Sequence, residues 1–268
     1  MSSRRNPATR PPAPDLSGGC HCDSGDIWHP AQLRRIVKIV TVLYTTHGSR
    51  VSREVAGRWL GELSYARQTA LQRLRQSEVL HNSLLGMQLL KTGMHHLKFR
   101  GFHLSEVRYS ANRKPHMSGK VDFSISHSGE LVVCALVQNG RVGIDTEKLR
   151  PVSIHSFSRF LSASECLDPG DSSDAFIDLW TCKEATLKGC GDCRLDQLKD
   201  ITISGDAARI GTQRFYLRRL ELLHGYKTCL ATSARQSNIA LLPARLENGS
   251  MIISKDNPDA ASYGRLPA

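Results

Sequence analysis

The pattern of apolar and polar positions divides the chain into a strand, a helical stretch, a run of strands, and then helices and strands again. Arg35-Ile-Val-Lys-Ile-Val-Thr-Val-Leu-Tyr44 is β-branched and of one strand's length, and His47-Gly48-Ser49 ends it. Helical periodicity follows over Ser52–Leu63 and again over Tyr65–His95, where Leu71, Leu74, Leu80, Leu84, Leu85 and Leu89 recur near one face. From Leu104 the period shortens toward two, through Val121-Asp-Phe-Ser-Ile-Ser-His127 and Leu131-Val-Val-Cys-Ala-Leu-Val137. Ser128-Gly129-Glu130 predicts a turn between these strands, and Asn139-Gly140 predicts a further hairpin into Val142-Gly-Ile-Asp145. A capping box at Ser162-x-x-Glu165 and a cap within Asp171–Asp174 open two later helices, the second running from Ala175 to Lys188. Strands are expected at Ile201–Ser204, Phe215–Leu220 and Lys227–Thr232. The order reads as two similar α+β halves side by side.

The ends have no such periodicity. Residues 1–32 mix Pro, Ser, Gly and Arg and read as a flexible leader; residues 236–268 read as a partly ordered tail. Between them, residues 33–140 form an expected N-terminal subdomain and residues 141–235 a C-terminal one.

Charge separates these halves. The net charge of +11 is concentrated in residues 33–140, where 16 Lys and Arg face 6 Asp and Glu, whereas the leader is neutral and the remainder nearly so. A polyanion seated on the first half and a metal held by the second would produce this asymmetry. The sequence carries no aromatic platform or recognition helix for nucleic acid, no membrane-length apolar run and no signal peptide, so a cytoplasmic protein without nucleic-acid or membrane partners is expected. The eight cysteines have no regular framework and read as reduced thiols, Cys134 and Cys229 as small buried hydrophobes. Cys190-x-x-Cys193 with Cys20-x-Cys22 leaves a zinc site as a lesser alternative.

Asp145 and Glu147 alternate at a strand end, so both carboxylates face one side and make half a site for a hard cation. Glu184 can supply a third oxygen ligand from a helix, with Lys188 one turn further on the same face, a pairing suited to phosphoryl chemistry. These groups occur in a fixed order with Lys114-Pro115, Phe123-Ser-Ile-Ser-His-Ser128-Gly129, Val142-Gly-Ile-Asp-Thr-Glu147 and Trp180-Thr-Cys-Lys-Glu-Ala-Thr-Leu-Lys188. In this arrangement the chain resembles the Sfp-type 4'-phosphopantetheinyl transferases, over roughly Val40 to Thr232.

The resemblance implies an α+β fold of two pseudo-symmetric subdomains, mostly antiparallel strands with helices packed on them, and coenzyme A in the cleft between. It implies transfer of 4'-phosphopantetheine from coenzyme A to a serine of an apo acyl or peptidyl carrier protein, with release of 3',5'-ADP. Asp145, Glu147 and Glu184 would bind Mg2+, with Glu184 also accepting the serine proton, and Lys188 would neutralise the phosphate under attack. Ser126 and His127 match the pair that contacts the 3'-phosphate, and Lys114-Pro115 the coenzyme A loop. Ser83-Leu-Leu-Gly86 resembles the helix start at the nucleotide, and Arg67 falls at a phosphate-contacting position. A carrier's acidic helix is expected to dock on a basic rim that includes Arg73 and Arg75, and two fused halves imply a monomer. Asn82 and Arg113 depart from the family's Arg and Gly and motivate an alternative, a catalytically silent binder of coenzyme A or nucleotide. Trp180 reads as a core anchor, Glu165 as a capping-box acid and Lys183 as a solvent-facing cation.

Overall fold

The computed structural model describes residues 38–46, 51–74, 77–110, 114–167, 172–235 and 237–254. The leader expected over 1–32 lies outside the described residues, as do Arg75 and Arg113.

In chain order the elements are β1 (Lys38–Thr46), α1 (Arg53–Gly61), α2 (Tyr65–Gln72), α3 (Ser77–His96), β2 (Arg108–Tyr109), β3 (Pro115–His116), β4 (Val121–Ser128), β5 (Leu131–Gln138), β6 (Val142–Lys148), α4 (Ala163–Leu167) and α5 (Ser173–Cys190). β7 (Thr202–Ser204), β8 (Ala207–Ile210), β9 (Gln213–Leu220), β10 (Tyr226–Thr232), β11 (Ser237–Glu247) and β12 (Ser250–Ile253) complete the fold. The expected α+β class holds: two five-stranded sheets, ordered β12-β11-β1-β5-β4 and β6-β10-β9-β8-β7, are mainly antiparallel and each carries a long helix.

The apolar run of β5 is buried on both faces. Val132, Cys134 and Leu136 pack with α3, while Leu131, Val133, Ala135 and Val137 pack with Val142, Ile144 and Leu230 of the other sheet. A strand between two layers needs this continuous apolar sequence. Glycines set the helix heights: a Cβ at Gly86 would lie 2.6 Å from Ile125 Cγ2, and one at Gly143 would run into the Ala185 carbonyl oxygen of α5. The second approach brings α5 directly over β6.

The connections between elements differ from those expected. Asn139-Gly140 does not close a hairpin, because β5 belongs to the first sheet and β6 pairs with β10 in the second. The segment after Ser233 returns to the first sheet, where β11 pairs in parallel with β1 from Lys38↔Ser237 to Tyr44↔Pro243 and then antiparallel with β12 from Ala244. The helical stretch after Tyr65 also divides, into α2 and α3.

The sheets meet through side chains. Alternate residues of β4 accept hydrogen bonds from alternate backbone N–H groups of β6: Asp122 Oδ2 from Val142 at 2.9 Å, Ser124 Oγ from Ile144 at 3.1 Å, Ser126 Oγ from Thr146 at 3.4 Å and Ser128 Oγ from Lys148 at 3.1 Å. Short polar side chains thus stand in for a missing strand, since buried amides must be paired. Ser124→Ala leaves the Ile144 N–H without this acceptor; we expect a loss of about 1–3 kcal/mol in denaturant unfolding, and an unchanged midpoint and slope would contradict the role.

Candidate active site

The joint between the sheets is also where the acidic residues sit. Asp145 and Glu147 project from β6 toward β4, and the same serines that cap the β6 amides donate to them: Ser126 Oγ to Asp145 Oδ1 at 2.7 Å and Ser128 Oγ to Glu147 Oε2 at 3.1 Å. Lys188 Nζ donates to Asp145 Oδ1 at 2.6 Å and to Ser126 Oγ at 2.9 Å. Ser126 therefore uses its one proton on Asp145 and accepts from both Thr146 and Lys188, which fixes the hydroxyl's orientation. Glu147 also receives Arg150 Nη1 at 3.1 Å.

Glu184 lies one turn before Lys188 on α5, half-buried. Burial, followed by the charges of Asp145 and Glu147, pushes its carboxyl up to about 7 against the opposing pull of Lys188. Burial alone would lower the Lys188 ammonium, but Asp145, Glu184 and Glu147 together outweigh it and raise its pKa. The Lys114 ammonium donates to the Lys188 carbonyl oxygen, and burial, helped by Arg141 and Lys188, lowers its pKa. His127 stands on the exposed rim at the end of β4; partial burial of the ring and then Lys188 lower its pKa, opposed by Asp145 and Glu78. A cavity of about 450 Å³ is lined by Lys114, Pro115, Phe123, Glu184, Lys188 and Cys193, among others.

Asp145, Glu147, Glu184, Lys188, Ser126, His127 and Lys114 thus come together. Arg67 does not join them directly: its guanidinium lies 4.7 Å from the centre of the Tyr109 ring, and Tyr109 pairs with Pro115 across the β2–β3 hairpin. Ser83 lies within α3, which begins at Ser77, and is not at a helix start. Asn82 is buried and donates to the Gly129 carbonyl oxygen at 3.2 Å, so it holds the β4–β5 turn beside His127.

The fit to a hard cation can be tested on the donor atoms. Asp145 Oδ2 is buried with no hydrogen-bond partner, a costly state for a carboxylate oxygen and one that a cation would relieve. Among the described residues, no three His, Cys, Asp or Glu side chains are drawn together into a ready-made ligand cluster. Mg2+ does not require one, because it is commonly held by one or two carboxylates together with substrate phosphates and water. The donor set fits on those terms.

Comparison with known proteins bears on the same residues. A profile described as the 4'-phosphopantetheinyl transferase superfamily matches residues 141–237, the segment that holds Asp145, Glu147, Glu184 and Lys188. By this match the segment is similar to the 4'-phosphopantetheinyl transferase superfamily, and the chain spans less than two thirds of the length of the curated relatives below. The chain is 32% identical over 143 residues to a 4'-phosphopantetheinyl transferase of Bacillus subtilis, covering 50% of this chain and 62% of that protein. It is 32% identical over 149 residues to 4'-phosphopantetheinyl transferase Sfp of B. subtilis strain 168, covering 52% of this chain and 64% of the relative. A third relative, 4'-phosphopantetheinyl transferase HetI of Nostoc, is 34% identical over 99 residues, or 34% of this chain and 42% of the relative. No described helix is long and apolar enough to cross a membrane.

Sequence reasoning missed one support of this segment. Lys183 does not face solvent: it is fully buried and its ammonium pairs with Glu165 and donates to the Leu198 carbonyl oxygen at 3.1 Å. Glu165 does form the expected capping box, accepting from Ser162 N at 2.8 Å, and so ties α5 to the start of α4. The signal was present in the apolar positions around Lys183, since Cys182, Ala185, Thr186 and Leu187 are buried too and leave α5 almost no solvent face. Trp180 anchors the helix as expected, packed among Phe157, Phe160 and Phe176. Lys183→Met strands a charge and a carbonyl; we expect a loss of about 3–5 kcal/mol in chemical denaturation, and wild-type stability would remove the ion pair from the account.

Proposed function

We propose that the chain transfers the 4'-phosphopantetheine group of coenzyme A to a serine hydroxyl of an apo carrier protein, releasing 3',5'-ADP. The observation that carries this reading is the meeting of Asp145, Glu147, Glu184 and Lys188 at the joint between the two sheets, next to Ser126 and His127 of the basic half. Residues 33–140 supply the coenzyme A seat, and residues 141–235 the acidic and catalytic groups.

Coenzyme A presents a 3'-phosphate and a pyrophosphate, which call for cationic and hydroxyl donors. His127 on the rim and Lys114 in the cavity wall would meet them, while Ser126, whose proton goes to Asp145, would contribute from the inner end of the set only by releasing that bond. Arg67 and the Lys114-Pro115 segment are linked through Tyr109, which supports one basic wall for the nucleotide end. Mg2+ held by Asp145, Glu147 and Glu184 would stabilise the charge that develops on the pyrophosphate. Lys188 neutralises the phosphate under attack, and its contact with Asp145 keeps it charged at neutral pH. Glu184 accepts the proton of the carrier serine, directly or through water, as the serine oxygen attacks the pantetheine-side phosphorus. All the named groups come from a single chain, which supports a monomer as the active species.

A silent coenzyme A binder is less favoured because Asn82, one of the two departures that suggested it, holds a backbone turn and leaves His127 in place; the other, Arg113, lies outside the described residues. Purified protein with Mg2+ and coenzyme A should add one phosphopantetheine mass to an apo acyl or peptidyl carrier protein by intact-mass spectrometry. Asp145→Ala and Glu184→Ala should each reduce transfer about 100-fold or more, since each removes several kcal/mol of charge stabilisation. Calorimetric binding of coenzyme A with no mass addition to several carriers would establish the silent reading instead.

A further inference from the structure

Cys190 and Cys193 were expected to be reduced thiols, but a disulfide joins them across the turn that follows α5, with Cα atoms 5.8 Å apart. Cys134, Cys182 and Cys229 are free and buried. The turn is shaped for the pair. Gly191 has φ of 93°, a left-handed conformation that disfavours a side chain, and Arg141 holds the helix end by donating to the Gly189 and Cys190 carbonyl oxygens at 3.3 and 2.6 Å. The two sulfurs are not equivalent. Cys190 is 5% exposed and its Sγ accepts from Gln213 Nε2 at 3.3 Å, whereas Cys193 is half-buried and lines the cavity that also holds Lys114, Glu184 and Lys188.

We propose that Cys190–Cys193 is a thiol–disulfide exchange site, with Cys193 as the sulfur that takes up a low-molecular-weight thiol from that cavity. An incoming thiolate attacks Cys193 Sγ and forms a mixed disulfide there. The Cys190–Cys193 bond breaks, and its electron pair remains on Cys190 Sγ, where the Gln213 N–H stabilises the departing thiolate before it takes a proton from water. A second thiolate attacks the small-molecule sulfur of the mixed disulfide, releasing the symmetric small-molecule disulfide and the Cys193 thiolate, which is also protonated by water. In sum two small thiols are oxidised and the protein pair is reduced; the reverse sequence uses a small disulfide to close the pair. Lys114 and Lys188 in the cavity wall favour anionic thiols, a class that includes both glutathione and coenzyme A. A group carried on Cys193 would stand in the same cavity as Glu184. The exchange chemistry itself does not depend on the transferase reading.

The test uses the full chain, reduced and freed of reductant, in separate native incubations with glutathione disulfide and with coenzyme A disulfide. In C190S, which cannot resolve the adduct, the tryptic peptide spanning 189–194 should carry the corresponding mixed disulfide, and the same peptide of C193S should carry none. In the wild-type chain that peptide should instead return to the intramolecular disulfide, with an early acid quench trapping the mixed species. An adduct in either incubation supports the site, and comparing the two identifies which thiol it admits. The proposal is overturned if the folded wild-type chain keeps both thiols free in both incubations, or if Cys190 in place of Cys193 carries the adduct. None of these readouts involves a carrier protein, so a failure here is distinct from a failure of transfer.

Discussion

Four short polar side chains on β4 join the two sheets, and the placement of the acidic residues depends on that join. Asp122, Ser124, Ser126 and Ser128 accept the β6 amides that no neighbouring strand pairs. Two of the same hydroxyls then donate to Asp145 and Glu147. A backbone-to-backbone ladder would satisfy the amides equally well but would leave nothing aimed at the carboxylates. The side-chain join does both, so the positions of Asp145 and Glu147 are set by the same bonds that hold the halves together.

The opposite wall is α5. Its approach to β6 requires Gly143, because any side chain there would meet the Ala185 carbonyl. The approach carries Glu184 and Lys188 over the β6 carboxylates and is reinforced from behind by the Lys183–Glu165 pair and the aromatic cluster around Trp180. The result is a dense acidic group with one ammonium in it, in which Asp145 has one oxygen satisfied and the other unpaired. Like charges crowd at a cost unless a cation shares them. The raised Glu184 carboxyl expresses that cost.

The sequence disclosed the class of the fold and the grouping of the site far better than the connections between elements. Strict alternation in β4 and continuous apolar character in β5 identified both strands, and the D-x-E and E-x-x-x-K spacings identified the four charged groups. It failed where tertiary context chose between equal local options. Asn139-Gly140 is a good turn, but it leads to a different sheet; local chemistry cannot distinguish a hairpin from a crossing. β11 was obscured because Pro243 and polar neighbours interrupt its pattern, yet Pro243 ends the ladder with β1 one residue before the ladder with β12 begins, where a missing N–H is tolerated. Asp122, Ser124 and Ser126 are the acceptors of the inter-sheet join, a role that period-two alternation does not disclose because it depends on which strand lies alongside. Lys183 was read by residue type, whereas the buried residues flanking it in α5 decide its fate.

The central claim is that Asp145, Glu147 and Glu184 share a divalent cation. Titration of the folded chain with Mn2+ in the presence of coenzyme A, followed by the electron paramagnetic resonance signal of the free ion, tests it without reference to any carrier. The account predicts one bound ion per chain, with binding lost in Asp145→Asn and weakened in Glu184→Gln. Uptake that is absent in the wild-type chain, or unchanged in both variants, would contradict it.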